Sequence, residues 1–318
     1  MGLRSMIRRS LPPVVTVAFL ATLAGGCAGR AAELSAWNYS ANVRAFGAFG
    51  DGRTDDTAAL RSAVQWARTA RAPVYLPPGQ YLLRDKLRLN VPIRGEWSRS
   101  SVLLLAGPSS GLIVTQSEQV HIRDLSIEGD GSADQTGIQI GEAGQQADFV
   151  YLSGLEVRRC GGDGIRFAKG NCGTVRDCRL FDNRGYGLRL DGIDTPGCTN
   201  AHQIQAYLVA NGLGGLCAAN SSSNTIDVVA EGNGSANGAN RQSGWGLEID
   251  NNQRLITCYT EGNAAGGLWC KMGCYGAIIN CWSWEGWKGN RGSKPLVENR
   301  NNQAIWGQTQ RPPWEPAP

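Results

Sequence analysis

Residues 164–190 read GIRFAKGNCGTVRDCRLFDNRGYGLRL. A glycine opens a short strand at each end of this stretch, Gly164-Ile165-Arg166-Phe167 and Gly187-Leu188-Arg189-Leu190, with apolar residues at alternate positions. That alternation marks a strand with one face turned inward. The same Gly-apolar-x-apolar unit recurs at Gly137–Ile140, Gly215–Ala218, Gly246–Ile249 and Gly267–Cys270, so that successive glycines stand 21 to 31 residues apart. Spacings on this scale belong to a repeat array.

A second unit fills the intervals. Apolar positions spaced 2, 3 and 2 occur at Val120-Ile122-Leu125-Ile127, Val150-Leu152-Leu155-Val157 and Gly173-Val175-Cys178-Leu180. Two further copies are expected at His202-Ile204-Tyr207-Val209 and Ala277-Ile279-Trp282-Trp284, which would place Trp282 and Trp284 in the core. The step of three breaks the period-2 rule once per repeat, as a bend between two strands does. Three short strands per coil, stacked in parallel, satisfy both units. The reading is an all-β protein, a single right-handed parallel β-helix whose coils run from about residue 73 to 307, ahead of a tail at 308–318. No single coil buries its own core, so the array must be long. The 43 glycines and 42% hydrophobic content among 318 residues agree with a turn-rich all-β chain that buries a sizeable interior.

Residues 42–72 read as a cap. Thr54 or Asp55 can start a helix near 56–70 whose apolar residues Leu60, Ala63, Val64 and Ala67 share one face. Such a helix covers the open end of a solenoid. Here the sequence resembles the entry segment of the pectate lyase superfamily, which includes rhamnogalacturonase- and epimerase-like proteins and phage tailspike enzymes. The resemblance rests on Phe46-Gly47-Ala48-Phe49-Gly50-Asp51-Gly52, on Thr54-Asp55-Asp56-Thr57-Ala58-Ala59-Leu60, and on the turn Leu76-Pro77-Pro78-Gly79-x-Tyr81. It implies the β-helix fold and says little about activity. Asp51, Asp55 and Asp56 read as turn and cap residues rather than a catalytic cluster.

The register sorts side chains by face. One outward column runs Gln139, Arg166, Arg189, Cys217, Glu248, Trp269, and the next runs Gly141, Ala168, Asp191, Ala219, Asp250, Lys271. The long polar loops Glu231–Ser243 and Asp191–Ala201 flank this strip, and a strip between loop walls suits an extended polymer. In the pectate lyase-like families this face carries substrate. Glu248, Asp250 and Asp191 are the candidate acids and bases. Arg166, Arg189 and Lys271 are the candidate grips for an acidic sugar, and Trp245 and Trp269 the candidate stacking surfaces.

The chemistry divides by motif. By resemblance a polygalacturonase would carry Asn-Thr-Asp, Asp-Asp, Gly-His-Gly and Arg-x-Lys on successive coils. Only Gly162-Asp163-Gly164 echoes the first, and Gly185-Tyr186-Gly187 and Gly214-Gly215 stand where paired acids and histidine would follow. The calcium pectate lyase motifs are absent as well, so no cofactor is expected and calcium has no support. A second acidic row, Glu128, Glu231, Glu261 and Glu285, is followed each time by glycine and reads as a turn. His121 and His202 have no metal-like partner. The expected function is a polysaccharide lyase or glycoside hydrolase acting on an acidic polysaccharide. The alternative is a non-catalytic glycan-binding or structural envelope protein.

The remaining features concern export and partners. Arg4, Arg8 and Arg9 precede the apolar run Leu11–Ala24, too short to span a bilayer, and Leu23-Ala24-Gly25-Gly26-Cys27 resembles a bacterial lipoprotein cleavage site. Residues 1–27 are therefore read as a signal segment and 28–318 as the mature domain. Lipidation of Cys27 would anchor the protein to a membrane, the outer membrane of a Gram-negative cell, with a periplasmic or secreted protein as the alternative. Nine other cysteines remain: Cys160, Cys172, Cys178, Cys198, Cys217, Cys258, Cys270, Cys274 and Cys281. No Cys-x-x-Cys pair occurs among them, several fall on core positions, and their disulfide pairing is left open. Lys plus Arg total 31 against 27 acids, and three of the arginines lie in the leader, so no nucleic-acid partner is implied.

Overall fold

The computed structural model describes residues 40–115, 119–192, 199–218, 221–234, 244–250, 252–270, 275–279, 281–283, 287–289, 294–298 and 303–304. These form a right-handed parallel β-helix with one α-helix near the N-terminus. The first sheet has nine strands, all paired in parallel, running from Lys86–Leu89 through Ile138–Ile140, Ile165–Phe167, Tyr186–Leu190, Gly214–Ala218, Trp245–Ile249 and Gly266–Cys270 to Trp287–Gly289. The second sheet contains the other two strands of each coil, set on either side of a corner.

The inward column of the first sheet is Ile138, Ile165, Leu188, Leu216, Leu247 and Leu268, each in register with the next and each at most 2% exposed. Burying one such side chain stabilises the fold by roughly 1.5–3 kcal/mol. The glycine ahead of each is required by close approach. A Cβ on Gly164 would lie 2.7 Å from the Gly187 carbonyl oxygen, and one on Gly215 would lie 2.4 Å from that of Gly246.

The 2-3-2 spacing holds where the corner residue is left-handed. Asp124, Gly154, Asp177 and Thr257 have φ of 58°, 61°, 52° and 55°, and the flanking sets 120–127, 150–157 and 175–180 are buried as expected. Two coils depart from it. Strands Gln203–Val209 and Asn224–Glu231 run straight through, with no positive φ, so their inward residues alternate as Ile204, Ala206, Leu208 and Ile226, Val228, Ala230. Tyr207, expected inside, is 54% exposed. In the later coil Ile278, Cys281 and Ser283 are the buried residues, one position off the expected Ala277, Ile279 and Trp282, and Trp282 is half-buried. Trp284 lies outside the described residues. In both cases a small inward residue beside a large outward aromatic reversed the reading.

An asparagine ladder lines another corner. Asn183, Asn211, Asn233 and Asn263 are buried in a stack. Asn183 Nδ2 donates to Asn211 Oδ1 (3.0 Å), Asn211 Nδ2 to Asn233 Oδ1 (3.0 Å) and Asn233 Nδ2 to Asn263 Oδ1 (2.8 Å). Each also donates to a backbone carbonyl and accepts a backbone N–H, so the turn's polar groups are paired.

The helix spans Thr57–Ala70 and buries Leu60, Ala63, Val64 and Ala67 against the first coil. Parallel pairing starts before it, since Ala41–Asn42 pairs with Val74–Tyr75 and Asp51–Asp55 with Gly79–Leu83. The segment expected as a cap is thus a helix inserted within the first coil. Asp55 Oδ1 accepts from Thr57 N (3.0 Å) and Asp56 from Phe49 N (2.7 Å) and Gly50 N (3.2 Å), the turn-and-cap roles expected of these acids. Cys160, Cys178, Cys217, Cys258, Cys270 and Cys281 are buried and Cys172 half-buried. Burial pushes the Cys160 and Cys178 thiols up to about 12. Cys27, Cys198 and Cys274 lie outside the described residues.

Candidate functional site

Pairing places Gln139, Arg166, Arg189, Cys217, Glu248 and Trp269 in one outward row of the first sheet, with Lys288 next in register. Of the neighbouring column, Asp191 and Asp250 are described, whereas Ala219 and Lys271 are not. Most of both expected loop walls also falls outside the described residues.

The row is wired together. Asp191 receives a two-pronged bond from Arg166, Nε to Oδ1 at 3.1 Å and Nη2 to Oδ2 at 2.7 Å. Arg189 Nε lies 3.0 Å from the same Oδ2, and its Nη1 lies 3.8 Å from Asp163 Oδ2. Asp163 Oδ1 accepts from Tyr186 N at 2.8 Å. The Tyr186 hydroxyl donates to Glu248 Oε1 at 3.0 Å. Five charged side chains and one phenol thus form a chain across four coils.

Burial sets their chemistry. It raises the Asp163 carboxyl, against the Tyr186 N–H and the Arg189 charge, which lower it. It also raises the Tyr186 phenol far above the usual tyrosine range, and the Glu248 carboxylate adds to the rise. Tyr186 therefore stays protonated at neutral pH, as the hydrogen-bond donor to Glu248. Burial lowers the Arg189 guanidinium, but Asp191 and Asp163 outweigh it and keep it charged.

Glycine makes the long reach of Tyr186 feasible. Tyr186 and Gly214 are register partners, as are Trp245 and Gly266. A Cβ on Gly214 would sit 2.8 Å from the Tyr186 ring, and one on Gly266 2.4 Å from the Trp245 ring. Each ring occupies the space over the next coil's glycine, and the Tyr186 hydroxyl reaches Glu248 two coils away.

These positions qualify the sequence reading. Arg166 and Arg189, expected to be open to a sugar acid, already hold Asp191. Glu248 is 2% and Trp245 5% exposed, so neither presents an open face, whereas Trp269 is half-buried and its ring lies 5.8 Å from that of Trp245. Asp163 and Tyr186 were not among the candidates. Their signal was present in Gly162-Asp163-Gly164 and Gly185-Tyr186-Gly187, where a large polar residue interrupts glycines just ahead of the repeat strand. Elsewhere, Glu231 and Glu261 are register partners followed by left-handed Gly232 and Gly262, in keeping with a turn, and Glu128 is paired with Arg158 and Arg159. Glu285 lies outside the described residues. His121 stacks on Tyr151, and His202 is buried with Nδ1 accepting from Gly173 N. Among the described residues, no group of three or more His, Cys, Asp or Glu could hold a metal ion.

The model of the family described as rhamnogalacturonase A/epimerase, pectate lyase-like, matches residues 40–288. The chain belongs to this family. Within the pectate lyase-like proteins it is 29% identical over 178 residues to mannuronan C5-epimerase AlgE2 of Azotobacter vinelandii, a match that covers 47% of this chain and 18% of that protein. The chain therefore spans a small part of that relative's length. Solved structures share the pectate lyase-like fold. ORF18 of Geobacillus virus E2 superposes with a TM-score of 0.59 at 16% identity, covering 84% of this chain and 62% of that one. The alginate lyase of Paenibacillus sp. superposes with a TM-score of 0.58 at 12% identity, covering 77% and 93%.

Proposed function

We propose that this protein acts on an acidic polysaccharide at the outer face of the first sheet, by removing and returning protons at a uronic acid residue. The observation that carries the reading is the Tyr186–Glu248 hydrogen bond beside the Arg166–Asp191–Arg189 cluster. Elimination and epimerisation of a uronate both start by taking the proton next to the sugar carboxylate, and both need that carboxylate neutralised. Glu248 is the base in this scheme, Tyr186 the acid, and Arg189 or Arg166 turns from Asp191 to the sugar carboxylate. Hydrolysis needs one ionised and one protonated carboxyl about 5 to 9.5 Å apart. Asp191 is engaged by both Arg166 and Arg189, a placement that leaves it poorly set to donate to a leaving group. The proteins it resembles are named for mannuronan and alginate, polymers of uronic acids, which supports the substrate class.

A second reading is non-catalytic glycan binding. The 2% exposure of Glu248 and the occupied arginines favour it. Incubation with polymannuronate, polygalacturonate and a neutral glucan separates the two. New double-bond absorbance, or a changed C5 configuration by NMR, on the charged polymers alone supports the enzyme. Binding with neither change supports the alternative. Anchoring through Cys27 is a separate proposal. Loss of membrane association in Cys27→Ser is the expected result, and unchanged fractionation would count against it.

A further inference from the structure

The inserted helix leaves a cleft of about 760 Å³ between itself and the first strands of the same sheet. Arg61, Arg68, Lys86 and Arg88 line it, with Asp85 as the acid among its lining residues. Asp85 is bonded to Arg61 at 2.6 Å, and Arg88 is bonded to Glu142. Among the described residues neither Arg68 nor Lys86 forms an ion pair, and Asp85, the acid next to Lys86 in sequence, is bonded to Arg61. Two positive charges are thus uncompensated in one concave site. Gln65, Asn90 and Gln145 add amides, the groups that recognise sugar hydroxyls, over a floor that includes buried Leu87 and Leu89. The volume falls in the range of small-ligand sites.

The cleft is distinct from the central row. Arg88 stands in register with Ile113, Gln139 and Arg166, three strand spacings or roughly 14 Å from the last. The turn closed by the Glu142–Gln145 bridge walls it, with Gln145 lining the cleft and Glu142 holding Arg88.

The geometry points to a second saccharide site here, taking a short carboxylated oligosaccharide with its carboxylates on Arg68 and Lys86. The ligand class rests on the acidic-polysaccharide reading above, but the site does not depend on any catalysis. Calorimetric titration of the full chain with trimannuronate, cellotriose and inorganic sulfate tests it. Trimannuronate should bind the wild type, and cellotriose should bind far more weakly. Arg68→Gln/Lys86→Gln should weaken trimannuronate about tenfold, in line with the loss of two partly exposed charge contacts. Both side chains are exposed, so the melting temperature of that variant should be preserved. Arg166→Gln/Arg189→Gln should keep the cleft's binding, so failure of the central site and failure of the cleft give different results. Trimannuronate should also shield Lys86 from acetylation. Unchanged affinity in Arg68→Gln/Lys86→Gln, unshielded Lys86, or sulfate competing as well as the trisaccharide at equal charge would overturn the assignment.

Discussion

Glu248 meets the Tyr186 hydroxyl and stands one register position from Cys217 and from Trp269, so its carboxylate has a defined donor and little water. Glu248→Gln keeps the shape and removes the base. Turnover on a uronate polymer should fall by at least about a hundredfold with binding retained, the loss expected for a general base. Tyr186→Phe should do the same, and equal turnover in either variant would remove the pair from the mechanism. A second residue-scale expectation concerns His202. Burial lowers its pKa from 6.5 to about 4. The folded protein therefore holds it neutral, while the unfolded chain takes up a proton below about pH 6.5. Stability should decline as pH falls from about 6.5 to 4 and level off below that. The difference in melting temperature between the wild type and His202→Gln, followed over this range, should shrink as pH falls. A constant difference would contradict the shift.

Among the elements, the asparagine ladder and the ring-over-glycine pairs hold the candidate site in place. Asn211 makes four side-chain bonds inside the core. Asn211→Leu would strand several buried polar groups and should cost about 3 kcal/mol or more, visible in denaturant unfolding. Loss of less than about 1 kcal/mol would mean that the ladder is not a major support. Gly214→Ala should push the Tyr186 ring off Glu248 and lower turnover while costing roughly 1–3 kcal/mol of stability. The glycine repeat was legible in the sequence because it sets register. The ladder was not, although Asn183, Asn211 and Asn263 each stand four residues ahead of a repeat glycine. An apolar periodicity search passes over a polar residue that is buried because its partners are other copies of itself.

At the scale of the molecule, the fold was open to reading because each coil repeats the same burial problem, and stacking multiplies a weak local signal. The site was less open. Sequence phase puts Arg166, Arg189 and Glu248 in one row, but it cannot tell an open cation from one held by Asp191, or show that Tyr186 spans two coils. Those are facts of side-chain reach, set by which neighbour is glycine. The most direct test of the account follows the proton next to the sugar carboxylate. Polymannuronate incubated with the protein in D₂O should show deuterium at C5 or a new 4,5 double bond by NMR, and neither should appear with Glu248→Gln. An unchanged C5–H with the wild type on every uronate polymer tried, or equal exchange by Glu248→Gln, would contradict it.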